Sequence, residues 1–254
     1  MTKAQTPDKL AVVTGTSAGI GAAVALQLVS HGWHVVGIAR RRAQFGVAYT
    51  HIATDLSDVG GATSAIESVA QPLLSEHWSR IGLVNNAASP DLIGIGERVH
   101  AEALARIYAV NTVLPVWLMG FMARNRRGDC PLRIVNVSSA ASGRPIPGLV
   151  AYGGSKAALR MSAMTLVTEW QSTVPHAPRR PKIAVRSYEP GVVDTDMQRL
   201  ARSLTPETLP WGGMFHDFVR RGIVVDANAP ATEIVEFLES DGDVGFSEAR
   251  LLRS

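Results

Sequence analysis

Short apolar runs alternate with longer amphipathic segments along most of the chain. Residues 10–14, Leu-Ala-Val-Val-Thr, form a short apolar run that stops at a glycine-rich turn. A run with no polar face is the pattern of a strand covered on both sides in a parallel sheet. Residues 20–30, rich in Ala, Leu and Val, read as a helix, and residues 33–39 as a second buried strand. Strand, glycine turn, helix and strand make one βαβ unit.

The same alternation predicts strands at 50–53, 81–85, 133–138 and 182–188. It predicts helices at 61–74, 101–122, 152–170 and 230–238, with Pro115 inside the second of these. Strands alternating with helices give a doubly wound α/β fold of Rossmann type, with helices on both faces of a parallel sheet. No repeat, linker or composition break divides the chain, so a single domain over 1–254 is expected. Two stretches depart from the pattern. Residues 40–49 are too few for a full covering helix, so one crossover is expected to shrink to a loop. Residues 197–225 hold Pro206, Pro210, Trp211, Gly212 and Gly213, and so many breakers in a compact chain suggest a substrate-binding loop or lid.

Composition narrows the classes. Hydrophobic residues make up 46% and charged residues 19% of the 254 positions, which argues against disorder. The 25 basic and 22 acidic residues leave a formal charge of +3, too small to require nucleic acid. The arginine groups at 124–127 and 179–180 lack interleaved aromatics, so a nucleic-acid groove is not expected. Cys130 is the only cysteine, which excludes disulfide frameworks and cysteine-based zinc sites. His31 and His34 straddle a helix end and a strand start with no acidic neighbour, and no metal site is expected. The apolar stretch 113–123 is interrupted by Pro115 and too short to cross a bilayer. The first residues lack a signal peptide's apolar core. A soluble cytoplasmic protein without membrane association is expected.

The first turn reads Thr14-Gly15-Thr16-Ser17-Ala18-Gly19-Ile20-Gly21. Glycines there allow a tight turn and a close backbone approach, and the following helix offers free N–H groups to a pyrophosphate. Gly15, Ser17, Gly19, Ile20 and Gly21 are therefore candidate dinucleotide contacts. At the end of the second strand an NAD site usually carries an acid for the ribose 2′-hydroxyl. Here the strand ends in Arg40, Arg41 and Arg42. An arginine fork suits a 2′-phosphate, so NADP(H) is the expected cofactor, held by Arg40 and Arg41. Asp55, with Leu56 beside it, could accept from an adenine amino group. Asn86, Ala87 and Ala88 follow the fourth strand, where such sheets bind ligands.

Tyr152 and Lys156 are four apart at the start of a predicted helix and share one face. With four tyrosines and four lysines in the chain, about 0.06 such pairs are expected by chance, so composition does not account for it. Reduction of a carbonyl needs a proton donor, and an ordinary tyrosine with a pKa near 10 exchanges protons poorly at neutrality. A neighbouring ammonium is expected to lower that pKa. Ser139, after the fifth strand, could hydrogen-bond the substrate oxygen. Asn111, in the long helix, could hold a water or a backbone group behind Lys156. Pro190, Gly191, Val193 and Thr195 lie in a turn able to meet a carboxamide.

Thr14 to Gly21, Asn85-Asn86-Ala87, Asn111, Ser139, Tyr152-x-x-x-Lys156 and Pro190 to Thr195 occur in the order and spacing of the short-chain dehydrogenase/reductase family, which the chain resembles over nearly its whole length. The resemblance implies a sheet of about seven strands and Tyr152 as acid/base. Lys156 would bind the nicotinamide ribose and lower the tyrosine pKa, Ser139 would orient the carbonyl, and Asn111 would complete a proton relay. Residues 145–148 and 194–202 look like the sepiapterin reductase and benzil reductase branch, which implies NADPH-dependent reduction of ketones or vicinal dicarbonyls by a homo-oligomer, a dimer or a tetramer. Ala88 replaces the glycine usual after Asn-Ala. Leu252 stands where that branch carries an acidic pterin anchor, and an apolar residue cannot accept from a pterin's amino edge. The substrate expected is thus a small ketone or diketone. Two alternatives remain: a 3-oxoacyl or other alcohol/ketone oxidoreductase of the same family, and a non-catalytic NADPH-binding regulatory module.

Overall fold

Strict alternation along each strand divides the core in two. In the computed structural model, which describes residues 7–89, 94–176, 179–242 and 244–251, β1 (Lys9–Thr14) sends Leu10 and Val12 to one face. It sends Ala11 and Val13 to the other. Both faces are covered, which is why the run carries no polar stripe. The remaining strands are β2 (Trp33–Ala39), β3 (Tyr49–Ala53), β4 (Arg80–Asn85), β5 (Leu132–Val137), β6 (Ile183–Glu189) and β7 (Gly245–Arg250). They form one sheet in the order β3-β2-β1-β4-β5-β6-β7, and every pairing is parallel. The strand order reverses between β1 and β4, so the crevice for a ligand opens at their carboxyl ends.

One face is packed by α2 (Val59–Leu74), α4 (Leu114–Asn125) and α5 (Val150–Gln171), through Ile66, Leu114, Leu118, Leu159 and Val167 among others. The other is packed by α1 (Gly19–Ser30) and α8 (Asn228–Glu239), through Val24, Leu28, Ile234 and Leu238. The connection from β2 to β3 carries no helix, as its length implied.

Three features differ from the sequence reading. The long helix 101–122 is broken: α3 (Ala101–Tyr108) passes into a π-helical turn (Ala109–Val113) before α4 begins. The stretch 197–225, expected as a substrate-binding loop or lid, carries most of α6 (Asp196–Ser203) and all of α7 (Gly213–Arg220), pinned by Ala201, Leu209 and Phe215 in a small core of their own. β7 is polar and lies at the sheet edge; pairing with β6 and a bidentate bond from Arg160 to Glu248, at 2.6 and 2.8 Å, hold it there. Residues 101–125 together are long and apolar enough to cross a membrane. In this fold, Leu114, Leu118, Met119, Phe121 and Met122 bury their side chains in the sheet-facing core.

Candidate active site

The glycine turn sits where β1 ends and is braced from the neighbouring strand. Asn86 Nδ2 donates to the Thr14 carbonyl at 3.0 Å and reaches the Gly15 carbonyl at 3.5 Å. Thr14 Oγ1 accepts the N–H groups of Asn86 and Ala87, both at 3.0 Å. Gly15 has φ +76° and Gly19 φ +57°, so both sit in the left-handed region that glycine enters without strain. A Cβ on Gly21 would overlap the Gly15 carbonyl, and one on Gly19 would lie 3.3 Å from Thr195 Cγ2. The cradle is therefore shaped for backbone approach. Ala18, at the cap position before α1, supplies no side-chain hydrogen bond, which leaves the helix's first N–H groups open to an anion.

Several side chains expected in this wall do other work. Ile20, Leu56 and Val193 are buried in the core, so only their backbone groups can meet a ligand. Asp55 accepts from the N–H and the hydroxyl of Ser57, both at 2.9 Å. Those bonds hold its pKa below the usual carboxylate value, helped by Arg40. Its second oxygen lies 3.9 Å from Arg40. Arg41 reaches across to Asp196 at the start of α6, 3.7 Å away. The two guanidinium side chains are 66% and 71% exposed. The Thr195 hydroxyl caps α6 by accepting from Gln198 N at 3.4 Å. Pro190 and Gly191 follow β6, and Gly191 takes φ +74°. The segment beyond them is fixed by Val192 and Asp194 bonding to the backbone of Val225.

At the other end of the crevice, α5 carries Tyr152 and Lys156 on one face. Lys156 is 3% exposed. Its Nζ donates to the Val137 carbonyl at 2.7 Å and lies 5.8 Å from the centre of the Tyr152 ring. Ser139 follows β5 and caps a short 3-10 turn (Ala140–Ser142), its Oγ accepting from Ala141 N at 3.3 Å. Burial pushes the Tyr152 pKa up to about 12, against a hydrogen bond from Ser139 that pulls it down. Burial also pushes Lys156 down to about 8. The tyrosine shift is opposite to the lowering expected from the lysine: desolvation outweighs the bond to Ser139, while the Lys156 hydrogen bond goes to the Val137 carbonyl.

Asn111 is fully buried in the π-helical turn. Its Oδ1 accepts from Ser89 N at 3.2 Å and its Nδ2 donates to Ser155 Oγ at 3.0 Å. Ser155 in turn donates to the Tyr152 carbonyl at 2.8 Å. The side chain thus holds the Ser89 N–H and, through Ser155, ties the turn to the helix that bears the tyrosine. Pro115, four residues on, has no N–H, so the Asn111 carbonyl lacks its ordinary helical donor. π-helical turns are frequent at functional sites. Ala88 packs with Ile107, Val99, Ala151, Tyr152 and Met197 in an apolar cluster beside the tyrosine.

Sequence reasoning did not single out Ser155 or assign Thr14 a separate part. Ser155 lies inside the Tyr-x-x-x-Lys spacing, and Thr14 is the one polar residue closing an apolar strand; both signals were present. Among the described residues no group of three or more His, Cys, Asp or Glu side chains stands close enough to hold a metal. Leu252 lies outside the described residues.

Comparison with known proteins places these features. The family model described as short chain dehydrogenase matches residues 9–204. Benzil reductase ((S)-benzoin forming) of Bacillus cereus is 26% identical over 239 residues, 91% of this chain and 94% of the relative. L-xylulose reductase of Caenorhabditis elegans is 35% identical over 197 residues, 76% of this chain and 74% of the relative. The crystal structure of a short-chain dehydrogenase/reductase from Saccharomyces cerevisiae superposes with a TM-score of 0.81 at 25% identity, covering 96% of both chains.

Proposed function

The chain belongs to the short-chain dehydrogenase family and is an oxidoreductase, and from that premise we propose that it is an NADPH-dependent reductase of a ketone or vicinal diketone. The observation that carries the reading is the constellation at the end of the sheet: Ser139 follows β5, and Tyr152 and Lys156 share one face of α5 with Lys156 Nζ 5.8 Å from the centre of the tyrosine ring.

The family uses a nicotinamide dinucleotide, and the residues fit one. The side-chain-free surface of Gly15, Gly19 and Gly21 and the uncapped start of α1 receive a diphosphate. Arg40 and Arg41 supply positive charge at the end of β2, where a 2′-phosphate would be bound. When bound, the nicotinamide supplies the hydride. Ser139 holds the substrate oxygen by a hydrogen bond, and Tyr152 gives that oxygen its proton. As the proton leaves, the negative charge on the tyrosine oxygen is stabilised by the nearby Lys156 ammonium. Asn111 and Ser155 keep the start of α5 in register with the π-helical turn. Met197 and Val99 beside the tyrosine favour an apolar substrate flank over the polyhydroxylated chain of a ketose. The segment 197–225 closes over that flank as a substrate-binding lid. The working form is a homo-oligomer, for which Val113 of the π-helical turn and Met161 of α5 leave exposed apolar surface.

A carbonyl panel with NADPH, containing benzil, sepiapterin, L-xylulose, a β-ketoester and a simple aldehyde, tests the reading. Steady NADPH consumption with benzil or another apolar ketone is expected. Turnover of L-xylulose alone would move the substrate to ketoses, and tight cofactor binding with no turnover on any carbonyl would identify a binding module in place of an enzyme.

A further inference from the structure

One aromatic ring touches both halves of the dinucleotide floor. Tyr49 opens β3 and is almost fully buried. Its side chain crosses Gly37 of β2, where a Cβ would overlap the phenol oxygen. That oxygen lies 2.8 Å from Thr16 Oγ1 and 3.3 Å from His51 Nδ1. Thr16 belongs to the glycine turn and is 0% exposed, so its side chain meets no ligand and acts on the turn from below. The ring of Tyr49 also takes Phe45 edge-on, with centroids 5.0 Å apart. Phe45 lies in the loop that carries Arg40, Arg41 and Arg42.

We propose that Tyr49 is a positioning residue for the dinucleotide: its hydroxyl sets the height of the glycine turn through Thr16, and its ring seats the arginine loop through Phe45. This rests on the cofactor reading above and deepens it. Burial raises the phenol pKa, with Thr16 opposing, so the hydroxyl keeps its proton at working pH. His51, at the far side of the oxygen, is pushed down by burial and by Arg42, and stays a neutral partner near pH 7. The two contacts have separable consequences. The turn meets the diphosphate of either dinucleotide, whereas the arginine loop meets only the extra phosphate of NADPH.

The test is titration of the full chain with NADPH and with NADH, alongside thermal midpoints. Tyr49→Phe removes the bond to Thr16 together with the longer one to His51, Thr16→Val removes the first alone, and each should weaken both dinucleotides about threefold to tenfold. Their kcat should stay within about twofold, because the reacting groups are untouched. Thr16→Ser should bind as the unaltered chain does, and the Tyr49→Phe/Thr16→Val pair should be no weaker than either single change. Phe45→Ala should weaken NADPH and spare NADH. A loss of stability alone would not produce the serine rescue or the saturation in the double variant. If Tyr49→Phe binds both dinucleotides unchanged, or Thr16→Ser is as weak as Thr16→Val, the positioning role falls while the cofactor reading stands. If the unaltered chain binds neither dinucleotide, both fall.

Discussion

The two ends of the crevice are built on opposite electrostatic terms. At the tyrosine end, Lys156 is buried and pinned by one short bond to a strand carbonyl, and desolvation moves both it and Tyr152 far from their ordinary pKa values. At the arginine end, Arg40 and Arg41 are mostly exposed and face carboxylates at 3.9 and 3.7 Å. Charges in water at such distances are screened and contribute little. They remain free to exchange a carboxylate for a phosphate. On the proposed function, buried groups set the chemistry and exposed groups set which cofactor is preferred, with smaller energies on the second task.

The contrast breaks most sharply at Tyr152. Tyr152→Phe keeps the ring and deletes the proton, so kcat should fall about 10²–10⁴-fold. A loss under about tenfold in steady-state turnover would show that another group donates the proton.

Lys156→Met should also abolish most turnover, yet stabilise the fold. Lys156 has a folded pKa of about 8 against 10.5 in its ordinary state. Below about 8 both folded and unfolded chains hold the proton, and burying it costs stability in full. Between 8 and 10.5 the unfolded chain binds more protons, so stability rises with pH. The variant's gain in thermal midpoint should therefore be a few degrees, about 2–4 °C, near pH 7. It should shrink as pH climbs through 8 toward 10.5, as scanning calorimetry across that range would record. Over the same interval reductive turnover of the unaltered enzyme should decline, as the lysine loses its charge.

Effects at the arginine end should be smaller and selective. Arg40→Asp should cut the NADPH-over-NADH preference about tenfold, by loss of a charge-assisted bond and the addition of repulsion; unchanged preference in paired kcat/KM measurements would remove Arg40 from the phosphate site. Asp196→Asn frees Arg41 from an exposed pair and should tighten NADPH by about twofold or less, with NADH unaffected.

The sheet was legible wherever a strand is covered on both faces, because such a strand has no polar position to obscure it; β1, β2, β4, β5 and β6 were found within about two residues. β7, Gly-Phe-Ser-Glu-Ala-Arg, carries no such signal. Its strand state comes from pairing with β6 and from Arg160 and Arg250, whose partners Glu248 and Glu189 are far away in the chain. The helices of 197–225 were hidden by prolines and glycines that fall between and at the edges of α6 and α7. In the site, Tyr152, Lys156, Ser139 and the glycine turn could be singled out because spacing and residue type carry them. Ile20, Leu56 and Val193 could be placed near the cofactor wall, but not which way their side chains turn.

Local sequence determined the elements, the glycine turn and the helical face shared by Tyr152 and Lys156, since each depends on neighbours within a few residues. Tertiary structure alone decided the rest. It closed Asn111 onto Ser89 and Ser155, set Tyr49 beneath Thr16, and turned Arg41 toward Asp196. It also reversed the expected shift of the Tyr152 pKa. That shift depends on how much water the surrounding elements exclude, and no spacing along a chain measures the water left around a side chain once the sheet and helices have closed.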